Sequence, residues 1–210
     1  MNGETGGYLA LFSEIGLLLL VTTLAGVAGG YWLDQQLQAS INAAGFTAQT
    51  LPSATATSVT QSLTSGYTYA FRARARDTLG RIGGWATGPT SLVSRYQETS
   101  GLIAYTGTWS SASSSTASAG AVRFTTAPGA RATMAFTGRN VAIVAPKSAI
   151  RGSFRVRIDG VLVATVSLNS TSALSRQVVF VRALSVGSHT IQLEAVGDGR
   201  VDLDAIMVLS

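Results

Sequence analysis

The chain contains a single histidine, His189, and no cysteine. Thiol nucleophiles, disulfides, thiolate metal sites and any Cys–His pair are therefore excluded. His189 lies in Gly187-Ser188-His189-Thr190, a turn ahead of an alternating apolar run, where an imidazole is expected to satisfy turn backbone groups. A serine and Asp198 would complete a nucleophilic arrangement with it, but no Gly-x-Ser-x-Gly elbow presents the hydroxyl. Glycoside cleavage needs two carboxylates across a cleft, and Asp198, Asp202 and Asp204 crowd one strand end instead. No glycine loop follows a strand and opens a helix, so nucleotide chemistry has no support. These residue types point to binding, not catalysis.

Charge is distributed unevenly along the chain. Residues 1–71 hold Glu4, Glu14 and Asp34 and no Lys or Arg, whereas all 15 basic residues lie beyond, 14 of them arginine and the other Lys147. Seven acids accompany them, so the second part carries a basic surface suited to acidic partners. With 46% hydrophobic and 12% charged residues, the 210-residue chain is outside the disordered class.

The elements that must hold these groups begin with Ile15–Leu33, a run of 19 uncharged residues. At 1.5 Å per residue it reaches roughly 28 Å, near the thickness of a bilayer core. This predicts a transmembrane anchor over residues 1–37, with Tyr31 and Trp32 at the headgroup level and Gly26 and Gly30 on one face. The alternative is a signal peptide cleaved after Gly26-Val27-Ala28, which leaves the rest secreted; the absence of Lys and Arg from residues 1–14 favours the anchor. The segment from Glu14-Ile15-Gly16 through Tyr31-Trp32-Leu33-Asp34 to Leu37 resembles the first membrane helix of the small proteins encoded beside rotary ATP synthases, which implies a membrane accessory role.

Residues 38–62, rich in Gln, Ala, Ser and Thr and broken by Gly45 and Pro52, read as a linker. The period then becomes two, with Tyr67, Tyr69, Phe71, Ala73 and Ala75 on one face and Arg72, Arg74 and Arg76 on the other. The arginines read as a solvated strand face that blunts edge pairing, and no specific nucleic-acid partner is expected. Leu63 to Asp77, with Leu79-Gly80 and Gly84-Trp85, is similar to the last strands of a fibronectin type III domain, so residues 63–92 would form part of one. The resemblance puts Tyr69 at the tyrosine corner, its hydroxyl tied to the preceding turn.

Residues 95–210 read as all β. Val122–Phe124, Ala132–Phe136, Val141–Val144, Phe154–Ile158, Val161–Val166, Gln177–Val181, Thr190–Val196 and Val201–Val208 supply about eight strands, with Asp159-Gly160 as a hairpin turn, a pattern that fits a jelly-roll β-sandwich. Tyr105-Thr106-Gly107-Thr108-Trp109, Phe136 to Val141, Pro146-Lys147, Arg151-Gly152, Val156 to Val161, Gly187 to Thr190 and Val201 to Ile206 resemble the galactose-binding-like sandwiches related to carbohydrate-binding modules. That resemblance implies a sugar site with an aromatic platform, for which Tyr105 and Trp109 are the candidates. Arg139, Lys147 and Arg151 would be its hydrogen-bond donors. It also implies a structural Ca²⁺ between Glu98 and Asp204, with Asp202 in reserve, and carbonyls completing the shell. Without a ligand, Trp109 is a core aromatic, and Arg139 and Arg151 pair with Asp159 or Asp202. The expectation is a membrane-tethered, extracytoplasmic, non-enzymatic module that recognises carbohydrate or an anionic cell-wall polymer. A structural spacer or adhesion element is the alternative.

Overall fold

The computed structural model describes residues 8–12, 17–21, 34–49, 58–61, 63–76 and 79–210, and the principal division between its two compact units falls between Val93 and Ser94. All of its named elements are strands. The first unit holds β1 (Tyr8–Phe12), β2 (Leu17–Val21), β3 (Asp34–Ile41), β4 (Thr47–Gln49), β5 (Ser58–Gln61), β6 (Thr68–Arg76) and β7 (Ala86–Thr87). The order β1-β2-β5 makes one small sheet. A second forms around β6, which pairs with β3 and β7, while β3 also pairs with β4.

The expected membrane helix falls mostly outside the described residues, as do Gly26, Gly30, Tyr31 and Trp32. Its described piece, Leu17–Val21, is a strand, antiparallel to β5 from Leu17↔Gln61 to Leu20↔Ser58. A five-residue apolar run fits a buried strand as well as a helical segment, so its sequence does not separate the two. Among the described residues, no helix is long and apolar enough to cross a membrane. The stretch 38–62, expected as linker, also contains strand residues. Its polar composition hides the fact that β3 runs in continuous register with β6, from Asp34↔Arg76 to Ile41↔Tyr69.

In β6 the alternation holds at Tyr69, which is 6% exposed and accepts a 2.8 Å hydrogen bond on its hydroxyl from Thr64 N–H. This is the corner bond anticipated for that position. Tyr67, expected on the buried face, is instead exposed. The arginines are not simply solvated either. The Arg72 guanidinium lies 4.2 Å from the Phe46 ring centroid and 4.4 Å from that of Trp85, and Arg74 stacks on Trp85 at 4.4 Å. Arg72 also donates to Gln38 Oε1 at 2.9 and 2.6 Å.

The second unit begins within β8 (Ser91–Gln97) and continues with β9 (Ile103–Thr106), β10 (Ser110–Ser113), β11 (Ala121–Thr125), β12 (Arg131–Lys147), β13 (Ser153–Ile158), β14 (Val161–Ser167), β15 (Leu174–Ala195), β16 (Val201–Leu203) and β17 (Ala205–Leu209). Runs that read as separate strands at 132–136 and 141–144 are one strand, β12, and those at 177–181 and 190–196 are one strand, β15. These two pair antiparallel along most of their length. In the first half of β12, Ala132, Met134 and Phe136 enter the core; beyond a register shift between Gly138 and Asn140, Val141, Ile143 and Ala145 do. The irregularity changes the parity of the alternation, so both halves of a bent strand face one core. Gly138 sits at the bend because a Cβ there would lie 2.5 Å from the Leu209 carbonyl oxygen.

One sheet runs in the order β14-β13-β15-β12-β17: β12 pairs with β15 along most of its length, with β9 at its beginning and with β17 in its later part. A separate sheet, β10-β11-β16, completes a β-sandwich, with Val201 and Leu203 of β16 in the same core. Phe154, Val156, Ile191, Leu193, Leu203, Ile206 and Val208 join the β12 residues in one buried cluster. Each large side chain there contributes about 1.5–3 kcal/mol by leaving water. The β13–β14 turn is the expected hairpin: Asp159 and Gly160 have φ 51° and 80°, both positive as a type I′ turn requires.

Candidate functional site

The ends of several strands gather at one end of the sandwich around a cavity of about 400 Å³. Lys147 closes β12 opposite Leu174, which opens β15. Arg151 follows in the turn and bridges in parallel to Arg200, just before β16. Gly152 permits this approach, since a Cβ there would lie 2.6 Å from both Asp198 Oδ1 and Gly199 N. Gly152 N–H donates to the Arg200 carbonyl at 2.9 Å, and Ser153 N–H donates to Asp198 Oδ1 at 2.7 Å. From the other side, the β10–β11 loop is held by Arg176, whose Nε donates to the Thr116 carbonyl at 2.8 Å and Nη2 to that of Ala117 at 3.3 Å. Hydroxyls of Ser113, Ser114, Thr116, Ser148 and Ser175 share the lining with the four cations.

Beneath the cations lies Asp202, with no solvent exposure. Its Oδ1 accepts from Arg200 Nε at 2.9 Å and Nη2 at 2.5 Å, and its Oδ2 stands 2.6 Å from Arg151 Nε. The Arg151 contact is close but lacks hydrogen-bond alignment, which leaves both atoms buried without an aligned partner. Burial lowers the Arg151 pKa, Asp202 opposes that effect, and the neighbouring Arg200 adds to it. Arg200 also stacks 3.7 Å from the Phe124 ring centroid.

Asp204 lines the same cavity and anchors the serine-rich loop. Its Oδ1 accepts from Ser118 N–H at 3.0 Å and from the Ser118 hydroxyl at 2.8 Å. Behind it, Glu98 N–H donates to the Asp204 carbonyl at 3.1 Å. Glu98 is 2% exposed, and its Oε2 has no hydrogen-bond partner. Burial raises the Glu98 pKa and the charge of Asp204 raises it further, against its own backbone hydrogen bond and Arg123. An orphaned buried oxygen beside a second carboxylate fits a hard cation. Among the described residues, however, no group of three His, Cys, Asp or Glu side chains converges, so carbonyls would have to complete any shell.

The structure therefore brings together Glu98 and Asp204, and Lys147 with Arg151. Tyr105 and Trp109 also meet, edge to face with centroids 5.0 Å apart, but their polar ends are used internally. The Tyr105 hydroxyl donates to the Glu98 carbonyl at 2.8 Å, and Trp109 Nε1 donates to the Thr106 carbonyl at 3.2 Å. Both rings are half-buried against the core, and neither lines the cavity. Burial raises the Tyr105 pKa, with Arg123, 4.4 Å from the ring centroid, opposing it. Arg139 belongs to neither group: it sits at the β12 irregularity with its Nε buried and without a partner. Of the pairings open to the arginines, the structure makes Arg151 with Asp202. Asp159 goes to His189 instead, at 2.7 Å from Nδ1. Sequence reasoning missed Arg176, Arg200 and Ser118, whose roles depend on the loop conformation at the cavity and not on a local pattern.

Residues 115–203 match the family described as carbohydrate esterase 2 N-terminal. Among solved structures, a family 35 carbohydrate-binding module from Clostridium thermocellum is 12% identical with a TM-score of 0.45, covering 55% of this chain and 95% of that one. CBM35 from Cellvibrio japonicus Abf62 is 20% identical with a TM-score of 0.45, covering 56% and 92%. A family two carbohydrate esterase from Cellvibrio japonicus is 16% identical with a TM-score of 0.41; the match covers 57% of this chain and only 34% of the esterase chain. At these TM-scores the likenesses add nothing to the strand arrangement described above. No curated protein matches the chain.

Proposed function

We propose that the second unit is a carbohydrate-binding module and that a saccharide seats in the cavity between the β10–β11 loop, the turn after β12 and the start of β15. The observation that carries this reading is the coincidence of the cavity with residues 115–203, the segment similar to the N-terminal domain of a carbohydrate esterase family. The cavity volume lies within the roughly 300–1,000 Å³ range of small-ligand sites. Its lining of hydroxyls and fixed cations supplies donors to sugar oxygens.

Binding without catalysis is favoured by the state of the one histidine. His189 Nδ1 faces the Asp159 carboxylate and Nε2 faces the Ser185 carbonyl at 2.9 Å, so neither nitrogen faces a hydroxyl it would deprotonate. A Ca²⁺ at Glu98 and Asp204 would brace the floor of the site, a reading supported by the orphaned Glu98 Oε2. The uncharged Ile15–Leu33 run supports tethering of the module to a membrane.

A glycan array probed with the full chain tests the central reading. Retention on defined saccharides, weakened by Ser175→Ala or Arg176→Gln, is the expected result. Absence of binding to any glycan would overturn it.

A further inference from the structure

β15 leaves its partner strand at one place. Gly187 stands opposite Gly138 and Ala183 opposite Asn140, so Leu184, Ser185 and Val186 face the single residue Arg139 and have no partner in the β12 ladder. Leu184 packs against the core, whereas Val186 is 70% exposed. One side chain grips this excursion from outside the ladder. The His189 imidazole lies between the Ser185 carbonyl, 2.9 Å from Nε2, and the Asp159 carboxylate of the β13–β14 turn, 2.7 Å from Nδ1. Solvent reaches the ring through a depression of about 440 Å³ that Tyr96, Phe136, Thr137, Asp159 and Ser188 line with it.

Both neighbours of the ring accept, and only an imidazolium has two N–H groups to donate. A neutral ring keeps one. A carboxylate is the stronger acceptor, so the remaining proton stays on Nδ1 and Nε2 turns a lone pair toward the Ser185 carbonyl. Two acceptors then face each other, and the carbonyl belongs to the three residues that the β12 ladder does not hold. We infer that His189 is a protonation-operated latch, which ties the excursion at 184–186 to the β13–β14 turn when the ring is charged and frees it when the ring is neutral. The other ionisable groups among the described residues at this corner are Tyr96 of β8 and three arginines: Arg157, whose Nη1 reaches the Gly160 carbonyl at 3.5 Å, Arg139 opposite the excursion and Arg182 just ahead of it. Arginines stay charged and phenols neutral where an imidazole titrates, so the change of charge belongs to His189.

The chain has one histidine, so its ring resonances are assigned without ambiguity. The test is a nuclear magnetic resonance titration of the full chain from about pH 5 to about pH 9, spanning the ordinary imidazole value, with amide hydrogen exchange followed alongside. The neutral ring is expected to carry its proton on Nδ1, and the amide signals of residues 184–187 to move with the same midpoint as the ring. Protection of those amides from exchange should fall about tenfold across that midpoint relative to the rest of β15, the worth of one charge-assisted hydrogen bond. Two variants push the latch in opposite directions. His189→Gln has no ring to titrate and should leave the excursion unprotected at every pH. Asp159→Asn turns an amide donor toward Nδ1, so that the neutral ring carries its proton on Nε2 and keeps the Ser185 carbonyl; the alkaline loss of protection should vanish. A neutral parent ring protonated on Nε2 would overturn the inference, as would amides at 184–187 that ignore the ring's titration, or an Asp159→Asn chain that opens at the same pH as the parent.

Discussion

Arg151 Nε stands 2.6 Å from Oδ2 of Asp202, a carboxylate with no exposure to water, while Arg200 occupies the other carboxylate oxygen. Residues in the turn after β12 and at the start of β16 are thereby joined through one buried charge. Removing that charge leaves two largely buried guanidinium groups facing each other. Asp202→Asn is therefore expected to cost about 3–5 kcal/mol, the usual penalty for breaking a buried ion pair from one side. Urea unfolding would check this. A loss below about 1 kcal/mol would mean that water already screens the pair, as it does for surface ion pairs.

Gly138 and Gly187 face each other across β12 and β15, yet they differ in the space available to a side chain. A Cβ at Gly138 would lie 2.5 Å from the Leu209 carbonyl and 2.7 Å from Val208 Cγ1; at Gly187 the nearest atom is His189 Nε2 at 3.9 Å. Gly138→Ala is expected to lower stability by about 1–3 kcal/mol through overpacking at the bend. Gly187→Ala should be neutral, or stabilising by about 0.4–1 kcal/mol through reduced freedom of the unfolded chain. Thermal unfolding of the two variants side by side decides it, and equal effects would show that the bend does not depend on a glycine in β12.

The contrast between these glycines also shows how far the sequence was legible. Alternation gave the strands around Phe154–Ile158 and Val161–Ser167, and the Asp-Gly dipeptide gave the turn between them, because each signal is complete within a few residues. Thr137-Gly138-Arg139-Asn140 carries the same local chemistry as a turn but is the middle of a 17-residue strand. Only the pairing with β15 and β17 keeps it extended. The site divided in the same way. The approach of Glu98 to Asp204 and the Arg151–Asp202 pair were within reach of the sequence. Placing Arg176 and Arg200 on one cavity required the loop from Ser114 to Gly120, whose small polar residues carry no periodicity. Trp109 read as core ahead of platform, and its sequence could go no further, because an aromatic's type does not tell whether its N–H finds a backbone carbonyl.

His189 is clamped between two acceptors, the Asp159 carboxylate and the Ser185 carbonyl, and only the protonated ring can donate to both. The Asp159 hydrogen bond raises the His189 pKa first, and the Ser185 carbonyl adds to it. The resulting stabilisation is fully present below the unfolded imidazole value of 6.5 and is lost as pH rises through the higher folded value. Asp159 is lowered by the same hydrogen bond and then by the Thr190 amide; its share is present above 3.8 and is lost as pH falls through the depressed folded value. The melting temperature is thus expected to be highest between these limits and to fall on the alkaline side. His189→Gln should remove the alkaline fall. A variant that keeps it would assign the titration to another group.

Calcium offers the sharpest division between two states of the Glu98–Asp204 pair. Glu98 Oε2 is buried and unpartnered, and Asp204 lies close enough for its charge to raise the Glu98 pKa. Two buried carboxylates so placed are stable either with a cation between them or with Glu98 carrying a proton. If a cation binds, millimolar Ca²⁺ raises the melting temperature of the full chain and a chelator reverses it; a hundredfold excess over Kd is worth about 2.7 kcal/mol. Glu98→Gln should abolish that response, since a neutral amide weakens the site, while leaving calcium-free stability close to that of the parent. If the protonated state prevails, Ca²⁺ shifts nothing and Glu98→Gln, which mimics the neutral acid, is silent under both conditions. Measuring the variant alongside the parent separates an occupied site from a carboxylic acid that is neutral because it is buried.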